Sequence, residues 1–275
     1  MSIYKLGDKE IMLDKEKTQD IFEIIHNRRS LRKFTDQPIS DEVIATLLKA
    51  GVRAPFAFQA YSIVYTRNPE KMKIKCGVYP TTKLLMIFFI DANRIEKIIN
   101  QRGYQYDYDD GYFIWLTIQD VTLAAENIIL AAEALGLGSV LLGSAPSQVE
   151  LISKLFNVPK RVFPVVGLCL GYPNPEALFD IRPRFPLEHV AFEDKYKDLT
   201  EKEVKECMKA MDEGYITQGY YIKQNAKIPL KKEIGEDKID YDKYSWSEHI
   251  SRKMIHGRWG KKTLLTLLSE NGFNL

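Results

Sequence analysis

Apolar residues recur at helical spacing through residues 112–135, over about six turns, and most of them are small or compact. Ile114, Ile118, Val121, Ala125, Ile128, Ile129 and Ala132 form one wide stripe that has to be covered along its whole length. Such a helix is either the centre of a domain or the seam of a tight helix–helix dimer. Gly136 follows as a natural left-handed stop. The flanking sequence supplies covering layers. Residues 84–90 form an apolar run without alternation, the pattern of a strand buried on both faces. Residues 62–66, 139–142 and 163–170 read as three further strands. Ile21, Phe22, Ile24 and Ile25 mark an amphipathic helix. Ser40-Asp41-Glu42 reads as an N-cap with acids in the first turn, ahead of Val43, Ile44, Leu47 and Leu48. Ser147 reads as the cap of a helix running to Phe156. Helices therefore surround one sheet, and the class is α+β.

After Pro186 the texture changes. Residues 201–211 are helical, 224–242 are polar and read as a mobile excursion, and 245–268 are helical again. Their apolar content is thin, so the expected organisation is a core over 1–190 and a helical extension over 191–275 of the same domain, an arm suited to wrapping a partner subunit. With 275 residues the chain buries a sizeable core. Its 39 basic and 37 acidic residues leave a net charge of +2, which supplies no global field for nucleic acid or an anionic membrane. Cys76, Cys169 and Cys207 are odd in number and widely spaced, which fits a reducing compartment rather than a disulfide framework. The first 17 residues are heavily charged and show no apolar leader, and residues 84–90 are too short to span a bilayer. A cytoplasmic protein is expected.

Candidate chemistry is sparse. Gly136, Gly138 and Gly143 close a helix and open a strand, the reverse of a dinucleotide fingerprint, so their first reading is turn geometry. His26, His189, His249 and His256 have no metal-ligand spacing; His249 and His256 lie two turns apart on one helix and read as surface. No Cys-x-x-Cys pair and no Gly-x-Ser-x-Gly elbow is present. The tyrosines of residues 104–112 read as aromatic packing. Without an intrinsic nucleophile or acid–base pair, an enzyme of this sequence needs a bound cofactor to carry the reaction. Two arginine clusters are the best candidates to hold one: Arg28, Arg29 and Arg32 around Ser30, and Arg182 with Arg184. Guanidinium forks suit phosphate oxygens bidentately.

Read together, these stretches resemble the nitroreductase family of FMN-dependent oxidoreductases. The carriers are Arg28-Arg29-Ser30-Leu31-Arg32-Lys33-Phe34-Thr35-Asp36-Gln37-Pro38-Ile39-Ser40, Ala54-Pro55 with Gln59, Ala131 to Ser139, and Arg182-Pro183-Arg184-Phe185-Pro186-Leu187. Residues 245–253 and 268–273 resemble the larger subgroup of oxygen-insensitive NADPH nitroreductases and NADPH-FMN oxidoreductases. The resemblance implies a central mixed sheet flanked by helices, a helical C-terminal extension and an interlocked homodimer with FMN at the subunit interface. It assigns Arg28, Arg29, Ser30 and Arg32 to the phosphate, ribityl chain and pyrimidine edge of FMN, and Arg182 and Arg184 to the phosphate. Gly143 and Ser144 would lie beside the isoalloxazine, with the Ser144 N–H near N5. Pro55, Phe56 and Gln59 would border the ring from the other subunit. No side chain is assigned a catalytic role, and no metal is implied.

The implied reaction is ping-pong: NADPH or NADH delivers hydride, then a nitroaromatic or quinone-type acceptor takes two electrons. Supplying free reduced flavin and non-catalytic flavin sensing are the alternatives. The chain departs from the family pattern at Phe56, where Ser is usual, and at Arg182, where Lys is usual. It also has Gln218 where the subgroup often places an Arg for the 2′-phosphate of NADPH. That leaves the choice of nucleotide open, with Lys223, Lys227, Lys231 or Lys232 as candidate substitutes.

Overall fold

The computed structural model describes residues 2–6, 9–13, 15–74, 77–177, 180–256 and 262–275. In chain order the elements are β1 (Ser2–Leu6), β2 (Lys9–Leu13), α1 (Lys15–Asn27), α2 (Asp41–Gly51), β3 (Tyr61–Thr66), α3 (Pro69–Met72), β4 (Leu84–Asp91) and α4 (Ala92–Gln101). Then follow α5 (Asp110–Ala134), β5 (Gly138–Leu142), α6 (Val149–Phe156), β6 (Val162–Gly171), α7 (Glu201–Thr217), α8 (Tyr220–Gln224), α9 (Trp246–Ile255) and α10 (Leu264–Glu270). Two compact units result: Met1–Phe179 together with Gly260–Leu275, and Asp180–Trp259.

The first unit is built on a four-stranded sheet in the order β3-β4-β6-β5. Every pairing in it is antiparallel, which corrects the expected mixed sheet. The reason is topological. Strands β4 and β5 run in the same direction, joined by a crossover through α5, but β6 inserts between them and runs against both. Parallel pairing survives in a single bridge between Ser30 and Ser139 at the β5 edge. A hairpin of β1 and β2, which the charge of this segment did not announce, pairs Ser2 with Leu13 and Leu6 with Lys9.

All eight residues of β4 are buried, as its unbroken apolar run requires. Leu84, Met86 and Phe88 share a cluster with Leu47 of α2 and with Val121, Ala125 and Ile128 of α5. Leu85, Ile87 and Phe89 belong to a second cluster with Leu31, Phe34, Val140, Leu142 and Ile152. Removing one such large side chain from water contributes roughly 1.5–3 kcal/mol. Close contact of α2 with α5 depends on Gly51, where a Cβ would lie 2.7 Å from Ile128 Cδ1.

Helix α5 starts at Asp109, whose carboxylate accepts from Tyr112 N at 2.7 Å. It stops in a Schellman turn: Gly136 takes φ +73°, Leu137 N donates to Ala132 O at 2.8 Å, and Gly136 N donates to Glu133 O at 3.0 Å. By length and composition α5 would pass for a membrane-crossing helix, yet 50% of its apolar window is buried inside the fold.

Two local expectations are corrected. Ser147 lies inside a 3-10 turn over Ala145–Gln148 and does not cap α6, which opens at Val149 without a side-chain cap. The Ser147 hydroxyl is used backwards, donating to Ser144 O at 2.7 Å. The long helix expected over 245–268 is two helices, α9 and α10, and residues 257–261 lie outside the described residues. Helix α10 belongs to the first unit, where Arg161 N donates to Asn271 O at 2.9 Å and Asn274 N to Asp110 Oδ2 at 2.7 Å.

The second unit opens with α7, held at its start by a capping box in which Thr200 and Glu203 satisfy each other's backbone. Its interior is aromatic and polar. The Tyr221 ring stacks on His249 at 4.7 Å and meets the Tyr244 ring edge-on at 5.1 Å. Arg252 is buried, pairing with Glu248 at 2.6 Å and Asp237 at 2.7 Å and donating to Ile228 O at 2.8 Å. The stretch over 224–242 is irregular, as its polarity implies, but it is tied down. Besides the Arg252 bonds, Ile228 N donates to Tyr244 Oη at 3.0 Å and Tyr241 Oη to Asn225 Oδ1 at 2.8 Å.

Candidate functional site

The first arginine cluster is positioned by the exit from α1. Arg28 N closes the last turn on Ile24 O at 3.0 Å, after which the chain extends along β5 and Leu31 N donates to Ser139 O at 2.8 Å. Gly138 makes this approach possible, because a Cβ there would lie 2.3 Å from Leu31 Cδ1. Arg28, Arg29, Ser30 and Arg32 are all half-buried on this edge. Arg32 donates from Nε to Tyr79 Oη at 3.0 Å, and its guanidinium lies 5.9 Å from the Tyr79 ring centre.

Glu133, in the last turn of α5, is the acidic neighbour. Burial pushes its carboxyl up to about 7, against the pull of Arg28 and Arg29. Its Oε1 is buried without a hydrogen-bond partner. At neutral pH the carboxyl is therefore partly protonated.

Strand β5 then leads to Gly143 and Ser144. A Cβ at Gly143 would meet nothing within 4 Å, so the backbone borders open space there. The Ser144 carbonyl accepts from Ser147 N at 3.1 Å and from Ser147 Oγ at 2.7 Å, which fixes the turn. Cationic forks along an edge strand and an open backbone step at its end suit a flat ligand with an anionic tail. The donor chemistry fits a flavin mononucleotide.

The loop carrying Pro55, Phe56 and Gln59 precedes β3, at the opposite edge of the sheet from β5. Within the chain it is separated from Gly143 across β4 and β6, about 14 Å at the usual strand spacing. Phe56 is exposed and Gln59 adopts φ +50°. The loop is held by a residue the sequence reading missed. Asp120 of α5 is buried and accepts from Ala57 N at 2.6 Å and from Phe58 N at 3.0 Å. A carboxylate set between Ile118 and Val121 in an apolar stripe is the signal that could have found it, since a buried acid has to be partnered.

Arg182 and Arg184 lie in the second unit. The Arg182 guanidinium stacks over the Tyr220 ring at 3.9 Å and lies 5.5 Å from the Tyr215 ring centre. It also donates from Nη1 to Gln218 Oε1, while Gln218 Nε2 donates to Ile181 O at 2.8 Å. Arg184 folds back on its own loop, donating to Arg182 O at 3.0 Å and Pro183 O at 2.9 Å. Lys227, one candidate for a nucleotide phosphate, is engaged by Asp237 at 3.2 Å and by Ile239 O. His249 is not the surface residue expected. It is half-buried against Tyr221, and burial lowers its pKa. Among the described residues no group of three His, Cys, Asp or Glu is arranged to hold a metal. Cys169 and Cys207 are free and buried, and Cys76 lies outside the described residues.

The sequence model of the nitroreductase family matches residues 25–75 and 79–172, more than half of the chain. The chain belongs to the nitroreductase family. An NADPH-dependent oxidoreductase of Staphylococcus saprophyticus is 32% identical over 206 residues, covering 71% of this chain and 81% of the relative. A Cr(VI) reductase of Pseudomonas sp. (strain G-1) is 29% identical over 261 residues, covering 92% and 98%. The solved structure of NfrA1 from B. megaterium superposes with a TM-score of 0.76 at 29% identity, over 93% of this chain and 99% of that one. The matched region contains both the arginine edge of β5 and the Gly143–Ser144 step. The family's α+β fold is therefore present.

Proposed function

We propose that this protein is an FMN-dependent NAD(P)H oxidoreductase that reduces nitroaromatic or quinone-type acceptors by two-electron, ping-pong transfer. The observation that carries this reading is the half-buried pair Arg28 and Arg29 near Glu133, on the segment that runs beside β5, the strand that leads to the open Gly143 step. The name of one relative, an NADPH-dependent oxidoreductase, supports the nicotinamide donor, and that of another, a Cr(VI) reductase, supports a reductase.

FMN, when bound, would supply the hydride-transfer chemistry between nucleotide and acceptor. The residues of this chain bind and orient it. Arg28, Arg29, Ser30 and Arg32 would hold its phosphate, ribityl chain and pyrimidine edge, and Arg182 and Arg184 would complete the phosphate site. Gly143 would admit backbone close to the ring, and the Ser144 N–H would lie near N5. Positive charge near the pyrimidine edge would favour reduction. Pro55, Phe56 and Gln59 form a wall for the site of the partner in a homodimer, and the sheet order supports this by setting them at the far edge from Gly143 within one chain.

Anaerobic mixing of the FMN-loaded protein with NADPH or NADH is the test. Bleaching of the visible flavin absorbance is expected with at least one nucleotide. No bleaching with either would sink the reading.

A further inference from the structure

The connection from α2 to β3 is exposed over residues 55–59, between buried Ala54 and buried Ala60. It belongs to neither a helix nor a strand, so no ladder of backbone bonds orders it. One buried side chain does so instead. Asp120 of α5 uses both carboxylate oxygens, Oδ1 accepting from Ala57 N at 2.6 Å and Oδ2 from Phe58 N at 3.0 Å. The Ala57 N–H lies in the same rigid peptide plane as the Phe56 carbonyl, so fixing it fixes ψ of Phe56. On the other side Phe56 follows Pro55, whose ring locks its own φ. The Phe56 side chain thus stands on backbone held from both directions.

The two phenylalanines of the loop are used differently. Phe58 packs back on its own unit, stacked on Phe113 at 5.9 Å and edge-on to Tyr108 at 5.8 Å. Phe56 is 56% exposed and meets no ring among the described residues. Ordering an exposed loop costs conformational entropy, and a mere connection does not need it. A ligand does gain, because a face that is already ordered binds more tightly than one that must be ordered on contact. The face on offer is a phenyl ring without donor or acceptor, which favours a planar aromatic ring over a saturated one of similar size.

We infer that Asp120 is a positioning residue that presents Phe56 as a stacking face for planar aromatic acceptors. This rests on the proposal that the 55–59 loop walls the flavin site of the partner subunit, and the experiment separates the two claims. FMN-loaded protein is titrated by calorimetry with naphthoate and with its saturated decalin analogue. The two share a carboxylate and differ in planarity, and neither is a hydride acceptor, so the readout is binding. The wild-type protein prefers naphthoate. Phe56→Leu keeps apolar area but loses the ring, and it cuts that preference about two- to tenfold, the range of an aromatic pair. Asp120→Asn offers one oxygen and an opposing NH2 to the two backbone N–H groups. It lowers hydrogen-exchange protection of the Ala57 and Phe58 amides and cuts the preference about two- to threefold, the loss of pre-ordering. The double variant shows the preference of Phe56→Leu alone, because Asp120 acts through Phe56.

Phe56 is exposed, so its variant folds and tests the stacking face independently of Asp120. An unchanged preference in Phe56→Leu would overturn that face. A drop in Phe56→Leu with none in Asp120→Asn would overturn the positioning role alone, as would fast exchange of both amides in the wild-type protein. Wild-type protein that takes up no FMN would overturn the flavin reading and this inference with it. Protein that takes up FMN without preferring naphthoate would overturn the inference and leave the flavin reading standing.

Discussion

The two units are held together by different physics. In the first, every residue of β4 is buried and the sheet carries an aliphatic and aromatic cluster on each face. In the second, the buried centre is Arg252 among Glu248, Asp237 and the Tyr244 ring, beside the Tyr221–His249 stack. A core of apolar area is non-directional and tolerates small shifts. A buried charge is stable only while each partner stays in place. Family motifs thus lie on a scaffold set by area, while the Arg182 loop lies in a unit set by geometry.

The comparison can be broken from either side. Phe88→Ala opens a cavity in the buried sheet and is expected to cost about 3–5 kcal/mol in urea unfolding, the largest effect here. A loss below about 1 kcal/mol would mean that the sheet is not the organising core. Arg252→Ala leaves Glu248 without its cation and Asp237 with Lys227 alone, and is expected to cost about 3 kcal/mol. It should also raise hydrogen exchange over 224–242, which Phe88→Ala at a small extent of unfolding should not. Uniform exchange in both variants would erase the distinction between the units.

Asp120→Ala removes the acceptor of two backbone N–H groups and should cost about 2 kcal/mol. Its more telling effect is on the loop, where protection of the Ala57 and Phe58 amides should fall. The smallest effect concerns Glu133. Its carboxyl titrates at about 7 in the fold against a usual 4.5, so the folded state holds the extra proton between these values. Stability therefore falls as pH rises from about 4.5 to about 7, by about 1 kcal/mol once solvent screening of a half-exposed group is allowed for. Glu133→Gln should flatten that slope; a steeper slope would mean that Arg28 and Arg29, rather than burial, govern the group.

Much of the first unit was legible in advance because its signals are local and periodic. The unbroken apolar run marked β4, Ser40 marked the start of α2, and Gly136 marked the end of α5. The arginine edge of Arg28, Arg29 and Arg32 was legible through its motif. The hairpin of β1 and β2 was not, because its strands carry charge instead of clean alternation. Ser147 misled because its hydroxyl bonds backwards to Ser144 O, a choice that depends on the turn through Pro146. His249 misled because a histidine reads as surface until Tyr221 is known to lie against it.

Sequence by itself marked α1, α2, α5 and the four strands of the main sheet, and it pointed to the family and to a set of candidate flavin ligands. Each of these follows from residues close together in the chain or from a short ordered motif. Only the tertiary structure decided that β6 inserts between β4 and β5, that α10 returns to the first unit, and that Asp120, Gln218 and Arg252 are the residues that hold irregular segments in place. Several of their partners are distant in the sequence, 15 residues for Asp237 and Arg252 and 63 for Asp120 and Ala57. No local pattern encodes which of the many possible partners a polar side chain meets when it is buried.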